Sequence, residues 1–336
     1  MRRTAMRTGI LAAALMATAS PVMAQSVTTN EIRIGFLDTE IRTLPNKDRN
    51  VQIVSKSMGE ATPASWVGES GYSHGELVVA SAIRSARETD PTARIRIFAS
   101  NIYTPEQHVA RFAGGRAGRG LEDATKIRLV LNYDLARKAI DWMRSQNVRV
   151  LVVTATGRDS EGMRGLSKHA RDQGMILVAS TNNDRTKGPV YPAAYPTTIS
   201  VAGDDRSLPI WSDPALAGYV SYVSDGRAPL VRGRTQEIGS SFAAGSIGGL
   251  VAAYASTTEE PTEKGARTWL DQRSESRTYS GRTIASVTFG ASEGRPNSIE
   301  RLRTEMADRT AKGPVIADVR TAALAAGMMD RLTPGR

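Results

Sequence analysis

Three residues that are distant in the sequence have the side chains that acyl transfer requires. Asp38 supplies a carboxylate, His74 an imidazole and Ser241 a hydroxyl group. In this chemistry a base takes the proton of the attacking hydroxyl, and a carboxylate orients the base and stabilises its cation. The three residues can act together only if the fold brings their segments to one place.

Each of these residues lies at the boundary of a predicted element. The apolar run 32–38 predicts a strand that ends at Asp38, and functional groups in parallel sheets collect at the carboxyl ends of strands. Ser73 and Glu76 have the spacing of a capping box, which places His74 in the first turn of a helix.

The segment around Ser241 predicts a turn that leads into a buried helix. Small residues fill 238–245, and the apolar run 246–254 follows. At the N-terminus of such a helix, free N–H groups and the helix dipole favour a developing oxyanion. The alternative is that Ser241 is only the N-cap, and this stretch considered alone favours the cap because serine is a preferred capping residue.

A second serine motif is present but lacks a base. Residues 290–294 fit the G-x-S-x-G nucleophile elbow of α/β-hydrolases and follow an apolar run. That fold requires a histidine downstream of the serine, and the last histidine here is His169. We therefore exclude the elbow as a catalytic motif.

Five blocks, in this order, resemble the signature segments of the subtilisin-like serine proteases (subtilases). They are 38–39, 73–75, 176–184, 190–203 and 239–244. The chain order of aspartate, histidine and serine is also the order of that family. Five blocks in family order are far more specific than any single motif.

The resemblance implies a role for each matching residue. Ser241 would be the nucleophile, His74 the general base and Asp38 the residue that orients it, with Asn183 as the side-chain donor of the oxyanion hole. The substrate's side chain would lie in a cleft whose residues are Thr154, Ala155, Thr156, Gly157 and Val190. Together these roles imply an exported serine endopeptidase that acts on peptides or proteins.

The sequence leaves two other functions open. A subtilase-like scaffold that binds peptides without cutting them is favoured by departures from the family pattern: Glu40 and Asn182 where glycine is usual, and Gly245 where proline is common. Residues 25–31 are also too few for the prodomain that many subtilases have. An exported binding protein for small ligands would fit the α/β pattern but would give no reason for the five blocks.

The alternation of apolar runs and helical patterns from residue 32 to residue 203 predicts an α/β fold. By resemblance this is the three-layer subtilisin-like fold, a mostly parallel twisted sheet with helices on both faces. We expect one catalytic domain over 25–336. Strands are predicted at 32–38, 51–55, 94–99, 148–154, 175–181 and 198–202, and helices at 74–88, 133–146 and 160–173. Residues 256–312 are expected to be an elaboration with a hairpin and a helix over 297–309, and 313–336 a closing strand and helix.

The N-terminal residues predict export. Residues 1–24 have a basic start, an apolar segment and an A-x-A-like cleavage site, as secretory signal peptides do. They contain three arginines and no acidic residue, so their removal would lower the formal net charge from +10 to +7. No run is apolar enough for a membrane anchor. We expect a monomer in the periplasm or outside the cell.

Composition limits the cofactors. There is no cysteine, which excludes disulfides, a thiol nucleophile and cysteine metal sites. Three histidines make a histidine-rich metal site improbable, so we predict no cofactor and leave a structural calcium ion open. The basic, glycine-rich segment 111–120 does not predict nucleic-acid binding, since it offers one aromatic ring for stacking. We expect Arg111, Arg116 and Arg119 in this segment to favour acidic substrates.

Overall fold

The computed structural model describes residues 31–44, 48–59, 72–107, 127–184, 188–229 and 236–288. The strands in these ranges are β1 (Glu31–Asp38), β2 (Val51–Ser55), β3 (Arg94–Asn101), β4 (Tyr103–Gln107), β5 (Ile127–Leu131), β6 (Val150–Val153), β7 (Ile176–Ser180), β8 (Thr198–Gly203), β9 (Tyr222–Ser224), β10 (Glu275–Tyr279) and β11 (Arg282–Val287). The helices are α1 (His74–Thr89), α2 (Tyr133–Ser145), α3 (Glu161–Asp172), α4 (Pro214–Ala217), α5 (Ser240–Ala255) and α6 (Glu263–Asp271).

Nine of the strands form one sheet in the order β10-β11-β9-β8-β7-β6-β1-β3-β2. All neighbouring strands in it are parallel except the β10–β11 hairpin at one edge. The chain fills the sheet on one side of β1 first and then continues on the other side with β6. The carboxyl ends of β1 and β6 therefore form a topological switch point, where open α/β sheets bind ligands.

Helices cover both faces of the sheet, so the molecule has three layers. On one face α1, α5 and α6 pack against alternate residues of the central strands, including Ile34, Ile97 and Val152. On the other face α2 and α3 cover the intervening residues, such as Leu37 and Leu151. Strands buried on both faces need continuous apolar sequence, which explains the runs that predicted them.

Helix α5 is the most deeply buried helix in the described part of the chain. Every residue from Ser240 to Ala253 is buried. Its sequence is apolar on all sides, as expected for a helix enclosed by other elements. It begins beside the switch point and contacts both α1 and the central strands.

The α/β prediction is confirmed, and the predicted strands and helices agree with the structure to within about two residues at each end. Two regions differ from expectation. The predicted elaboration after residue 256 contains α6 and the β10–β11 hairpin, and β11 joins the main sheet beside β9. The β4–β5 hairpin was not predicted. The expectations for 1–24, 111–120, 290–294, 297–309 and 313–336 lie outside the described residues.

Candidate active site

Three strand ends bring polar side chains to one edge of the sheet. Asp38 is the last residue of β1, Thr154 follows β6, and Asn183 lies shortly after β7. These strands are neighbours in the parallel sheet, so their carboxyl ends meet at the same edge. The N-termini of α1 and α5 face this edge and add His74 and Ser241.

Asp38 is a buried carboxylate with three hydrogen-bond donors. Its Oδ1 accepts from the Thr39 N–H at 2.6 Å and from His74 Nδ1 at 2.9 Å. Its Oδ2 accepts from the Thr154 hydroxyl. Burial alone would raise the pKa of Asp38, but the His74 charge and these hydrogen bonds hold it below its ordinary value of 3.8. The carboxylate is therefore ionised at neutral pH.

His74 is held by that carboxylate and by an aromatic ring. An ionised carboxylate can only accept, so Nδ1 carries the ring proton and leaves Nε2 with a lone pair. The ring packs against Phe242, with 5.7 Å between ring centroids, and its side chain is 36% exposed. Burial disfavours the imidazolium, but the charge and hydrogen bond of Asp38, aided by Glu237, place the pKa of His74 above 6.5. This geometry suits a general base.

Ser241 lies in the first turn of α5, which packs along α1. A Cβ atom at Gly245 would stand 2.5 Å from the Val78 carbonyl oxygen, and one at Gly249 would meet Ala82. Since both contacts advance by four residues, α1 and α5 run parallel in register. Continued one turn earlier, the same register would set Ser241 level with His74.

The capping alternative for Ser241 is wrong. The N-cap of α5 is Gly239, which has no side chain to bond the helix N–H groups. Within the described ranges, the Ser241 hydroxyl makes no hydrogen bond, and its residue is 7% exposed. The hydroxyl is thus not used by the local backbone.

Asn183 is oriented by the turn before α5. Its Oδ1 accepts from the Ser240 N–H at 2.7 Å, and its Nδ2 faces the Gly239 Cα, where a Cβ atom would lie 3.1 Å away. The carbonyl end of the amide is therefore occupied, which leaves the NH₂ end, beside Gly239, as a donor. Glycine at 239 makes this close approach sterically possible.

The residues predicted to form the substrate cleft lie in two segments that are joined. Gly157 and Tyr191 exchange two backbone hydrogen bonds of 2.9 Å, which places Val190 beside the segment that follows β6. Val190 is buried, and Thr156 is exposed. Ala155 packs against the core on the α2 side. The Thr154 hydroxyl is committed to Asp38 rather than to the cleft.

Glu40, the departure that placed a second carboxylate near the site, is paired away from His74. Its Oε2 accepts from the Arg42 guanidinium at 2.6 Å. Its backbone carbonyl accepts from the Ser73 hydroxyl at 2.7 Å. The extra charge is therefore engaged with an exposed arginine.

Phe242, Glu237 and Tyr103 contribute to the site without having been predicted from the sequence. Phe242 and Glu237 flank Ser241 closely, so proximity in sequence could have indicated them. Tyr103 has no such signal. Burial, with a smaller effect of the Asp38 charge, raises the pKa of its phenol.

No metal site and no membrane-spanning helix occur in the ranges that the structure describes. No three His, Cys, Asp or Glu side chains are grouped there as metal ligands would be. No helix there has the length and apolar character needed to cross a bilayer.

Comparison with solved structures shows that the fold is that of the subtilisin-like serine proteases. A cold-adapted subtilisin-like serine proteinase matches with a TM-score of 0.51 at 14% identity, over 79% of this chain and 90% of that chain. A mutant of the protease domain of PatA matches with a TM-score of 0.49 at 15% identity, over 74% and 90%. The prenylagaramide maturation protease PagA matches with a TM-score of 0.48 at 16% identity, over 74% and 84%.

The fold assignment rests on the cold-adapted proteinase. No family model matches the sequence, and the comparison with curated proteins finds no match. At such identities structural similarity establishes the fold alone. The activity has to be argued from the site.

Proposed function

We propose that this chain is an exported serine endopeptidase that cleaves peptide bonds through an acyl-enzyme on Ser241. The observation that supports this most is the Asp38–His74 hydrogen bond of 2.9 Å, beside a helix whose register would set Ser241 level with His74. A buried carboxylate, an imidazole with its Nε2 lone pair available and a serine hydroxyl not used for capping are the parts of a Ser-His-Asp triad. The subtilisin-like fold also supports the proposal.

In this mechanism the proton moves between three groups of the chain. His74 Nε2 takes the Ser241 hydroxyl proton as the oxygen attacks the peptide carbonyl, and later gives it to the leaving amine. Asp38 keeps Nδ1 protonated and stabilises the imidazolium. The same cycle with water in place of the amine releases the acyl group and restores the serine.

Two donors would hold the oxyanion that forms during attack. The Asn183 NH₂ group is one, because its carbonyl end is fixed on Ser240. The Ser241 N–H at the start of α5 is the other, and this helix N-terminus adds its dipole. A single donor of this kind contributes a factor of about 10² to 10³ to kcat in enzymes of this type.

The proposed substrate preference draws on the segment after β6 and on Val190. The support is the pair of backbone hydrogen bonds that joins Gly157 to Tyr191, next to the buried, apolar Val190. We propose that Thr154 to Gly157 and Val190 accept the side chain on the acyl side of the cleaved bond. We expect an apolar side chain, because Val190 is apolar.

Export is part of the proposal and has its own test. The support is the signal-peptide pattern of residues 1–24. Expression in a Gram-negative host with a native N-terminus, followed by cell fractionation and mass spectrometry, should yield protein that begins at Gln25 outside the cytoplasm. Protein that keeps Met1 and stays cytoplasmic would contradict export without affecting the enzyme assignment.

Labelling with a fluorophosphonate tests the activity without a known substrate. The purified protein should form a covalent adduct on Ser241, located by peptide mass spectrometry, and boiling beforehand should abolish it. Ser241→Ala should not be labelled. Ser240→Ala is not a suitable control because the Ser240 hydroxyl contacts Thr181, so Ser246→Ala, deeper in α5, serves instead.

A catalytically silent peptide-binding protein is the second candidate. One observation favours it: within the described residues, no hydrogen bond joins the Ser241 hydroxyl to His74. Such bonds are often long in ligand-free enzymes and tighten on binding substrate, so this geometry does not exclude catalysis. A folded protein that takes no label but binds peptides would establish this second function.

A further inference from the structure

The buried carboxylate of Glu76 links the loop after Asp38 to the helix that begins with His74 through hydrogen bonds. Glu76 lies in the first turn of α1, two residues after the histidine, and is 5% exposed. Its Oε1 accepts from the N–H groups of Arg42 at 3.0 Å and Thr43 at 2.8 Å. Its Oε2 accepts from the Ser73 N–H at 2.8 Å.

These contacts exceed what helix capping needs. A capping box requires only the reciprocal bonds between Ser73 and Glu76, which are both present. At α6, by comparison, the N-cap Thr262 accepts from the Gly265 N–H at 3.0 Å, and its other partner is Tyr254, which precedes it by only eight residues. The two additional donors at Glu76 come from a loop more than thirty residues earlier in the chain.

The same loop is bonded to α1 at two more points. The Gly75 N–H donates to Thr39 Oγ1 at 2.9 Å, and the Ser73 hydroxyl donates to the Glu40 carbonyl at 2.7 Å. The loop begins immediately after Asp38, so its attachment determines where the Asp38 carboxylate lies relative to the His74 ring. Hydrogen bonds from buried N–H groups to a charged acceptor are among the stronger ones and resist displacement.

We propose that Glu76 is a positioning residue for the base: it holds the Asp38 loop on α1, so that the carboxylate keeps its 2.9 Å bond to His74 Nδ1. This inference rests on the proposed function, because it assigns Glu76 a part in the same triad. Glu76 touches neither the substrate nor the reacting atoms, and acts through Asp38 and His74.

Two variants separate the effect of the side-chain length at position 76 from the effect of its negative charge. In Glu76→Gln one acceptor oxygen becomes an NH₂ group that faces an N–H donor, so either the loop or the Ser73 bond is lost. Glu76→Asp keeps the negative charge but is one methylene shorter, so it cannot span both donors. Thr262→Ala is the control, since it removes a helix cap at α6, and its other partner, Tyr254, lies at the end of α5 opposite Ser241.

The readout is the pKa of His74, measured in the full chain by NMR with ¹³C-labelled histidine. Only three histidines are present, and His74→Gln identifies the signal. We expect both Glu76 variants to lower the pKa of His74 by about half a unit or more, because the Asp38 bond loosens. The labelling rate of Ser241 at pH 7 should fall roughly tenfold or more. Thr262→Ala should lower the melting temperature but change neither quantity.

Three results would overturn the proposal. Folded Glu76 variants with the wild-type pKa of His74 would show that the loop does not depend on Glu76. If the pKa of His74 falls in Glu76→Gln but not in Glu76→Asp, the negative charge of Glu76 alone accounts for the effect. If the pKa of His74 falls equally in Thr262→Ala, a general loss of stability accounts for the effect. The pKa measurement does not require catalysis. A wild-type protein that is not labelled would therefore contradict the proposed function, but the pKa of His74 could still be compared between wild type and the Glu76 variants.

Discussion

Gly245 of α5 lies directly against Val78 of α1, where a Cβ atom would stand 2.5 Å from the Val78 carbonyl oxygen. This contact sets the distance between the two helices whose first turns contain His74 and Ser241. Helices approach this closely only where one of them has no side chain. The spacing of His74 and Ser241 is thus decided in the core, one helical turn away from both residues.

Gly245→Ala should therefore impair the site from a distance. The added methyl group cannot fit against backbone, so the helices must move apart, at a cost of about 1–3 kcal/mol in the free energy of unfolding. We expect the rate of Ser241 labelling to fall in protein that is still folded. Urea unfolding and labelling kinetics measure the two effects.

Gly188→Ala is the matched control for that change. No described atom lies within 4 Å of a Cβ atom at Gly188, and its backbone does not require glycine. Stability should change by less than about 0.5 kcal/mol, and labelling should not change. Equal losses in the two variants would mean that helix spacing is not the cause.

The pH dependence of catalysis should report the pKa of His74. The base must be neutral to act, and Asp38 and Glu237 hold its pKa above 6.5. The acid limb of kcat/KM should therefore lie above pH 6.5. In Glu237→Gln the acid limb should move to lower pH, because one negative charge that raises the pKa of His74 is lost. Glu259→Gln is the control. Glu259 is exposed and is not among the groups that shift the pKa of His74, so the acid limb should not move. A limb that stays fixed in Glu237→Gln would contradict this.

The same raised pKa makes a contribution to stability that has a defined sign. A histidine whose pKa is higher in the folded state stabilises the fold below its unfolded value of 6.5, and this contribution is lost as pH rises through the folded value. The stability advantage of wild type over His74→Gln should thus shrink from pH 6 to pH 9. Urea unfolding at both pH values measures it, and an advantage that grows over this range would refute the assignment.

Thr154→Val tests the hydroxyl that donates to Asp38. The change keeps the shape of the side chain and leaves one carboxylate oxygen without this buried donor, at a cost of about 1–3 kcal/mol. We expect the pKa of Asp38 to rise and kcat to fall. Thr268→Val, whose hydroxyl bonds only a helix carbonyl on the exposed side of α6, should leave kcat unchanged.

Asn183→Ala should lower kcat by about 10² to 10³ with little change in KM, because the lost donor acts on the oxyanion and not on the bound substrate. The measurement is steady-state kinetics on a peptide that the wild type cleaves. Asn50→Ala, which changes an exposed asparagine just before β2, is the control. A change confined to KM would mean that Asn183 binds the ground state.

Much of the fold could be predicted because its centre is a parallel sheet. Strands such as β1 and β7 are buried on both faces, so their sequences are continuous apolar runs. The edge of the sheet gives no such signal: four of the five residues of β10 are exposed and polar. Helix α6 was missed although Ala266, Trp269 and Leu270 have helical spacing.

The sequence by itself determined which elements hold the candidate residues: Asp38 at a strand end, His74 in a first helical turn, Ser241 at the start of an apolar helix. Local pattern is enough for this, since strand ends and helix caps depend on neighbouring residues. Only the tertiary structure decided that Gly245 lies on Val78, that Thr154 donates to Asp38 and that Glu76 holds the loop at Thr43. Those contacts join segments far apart in the chain, and their geometry depends on how the whole core packs.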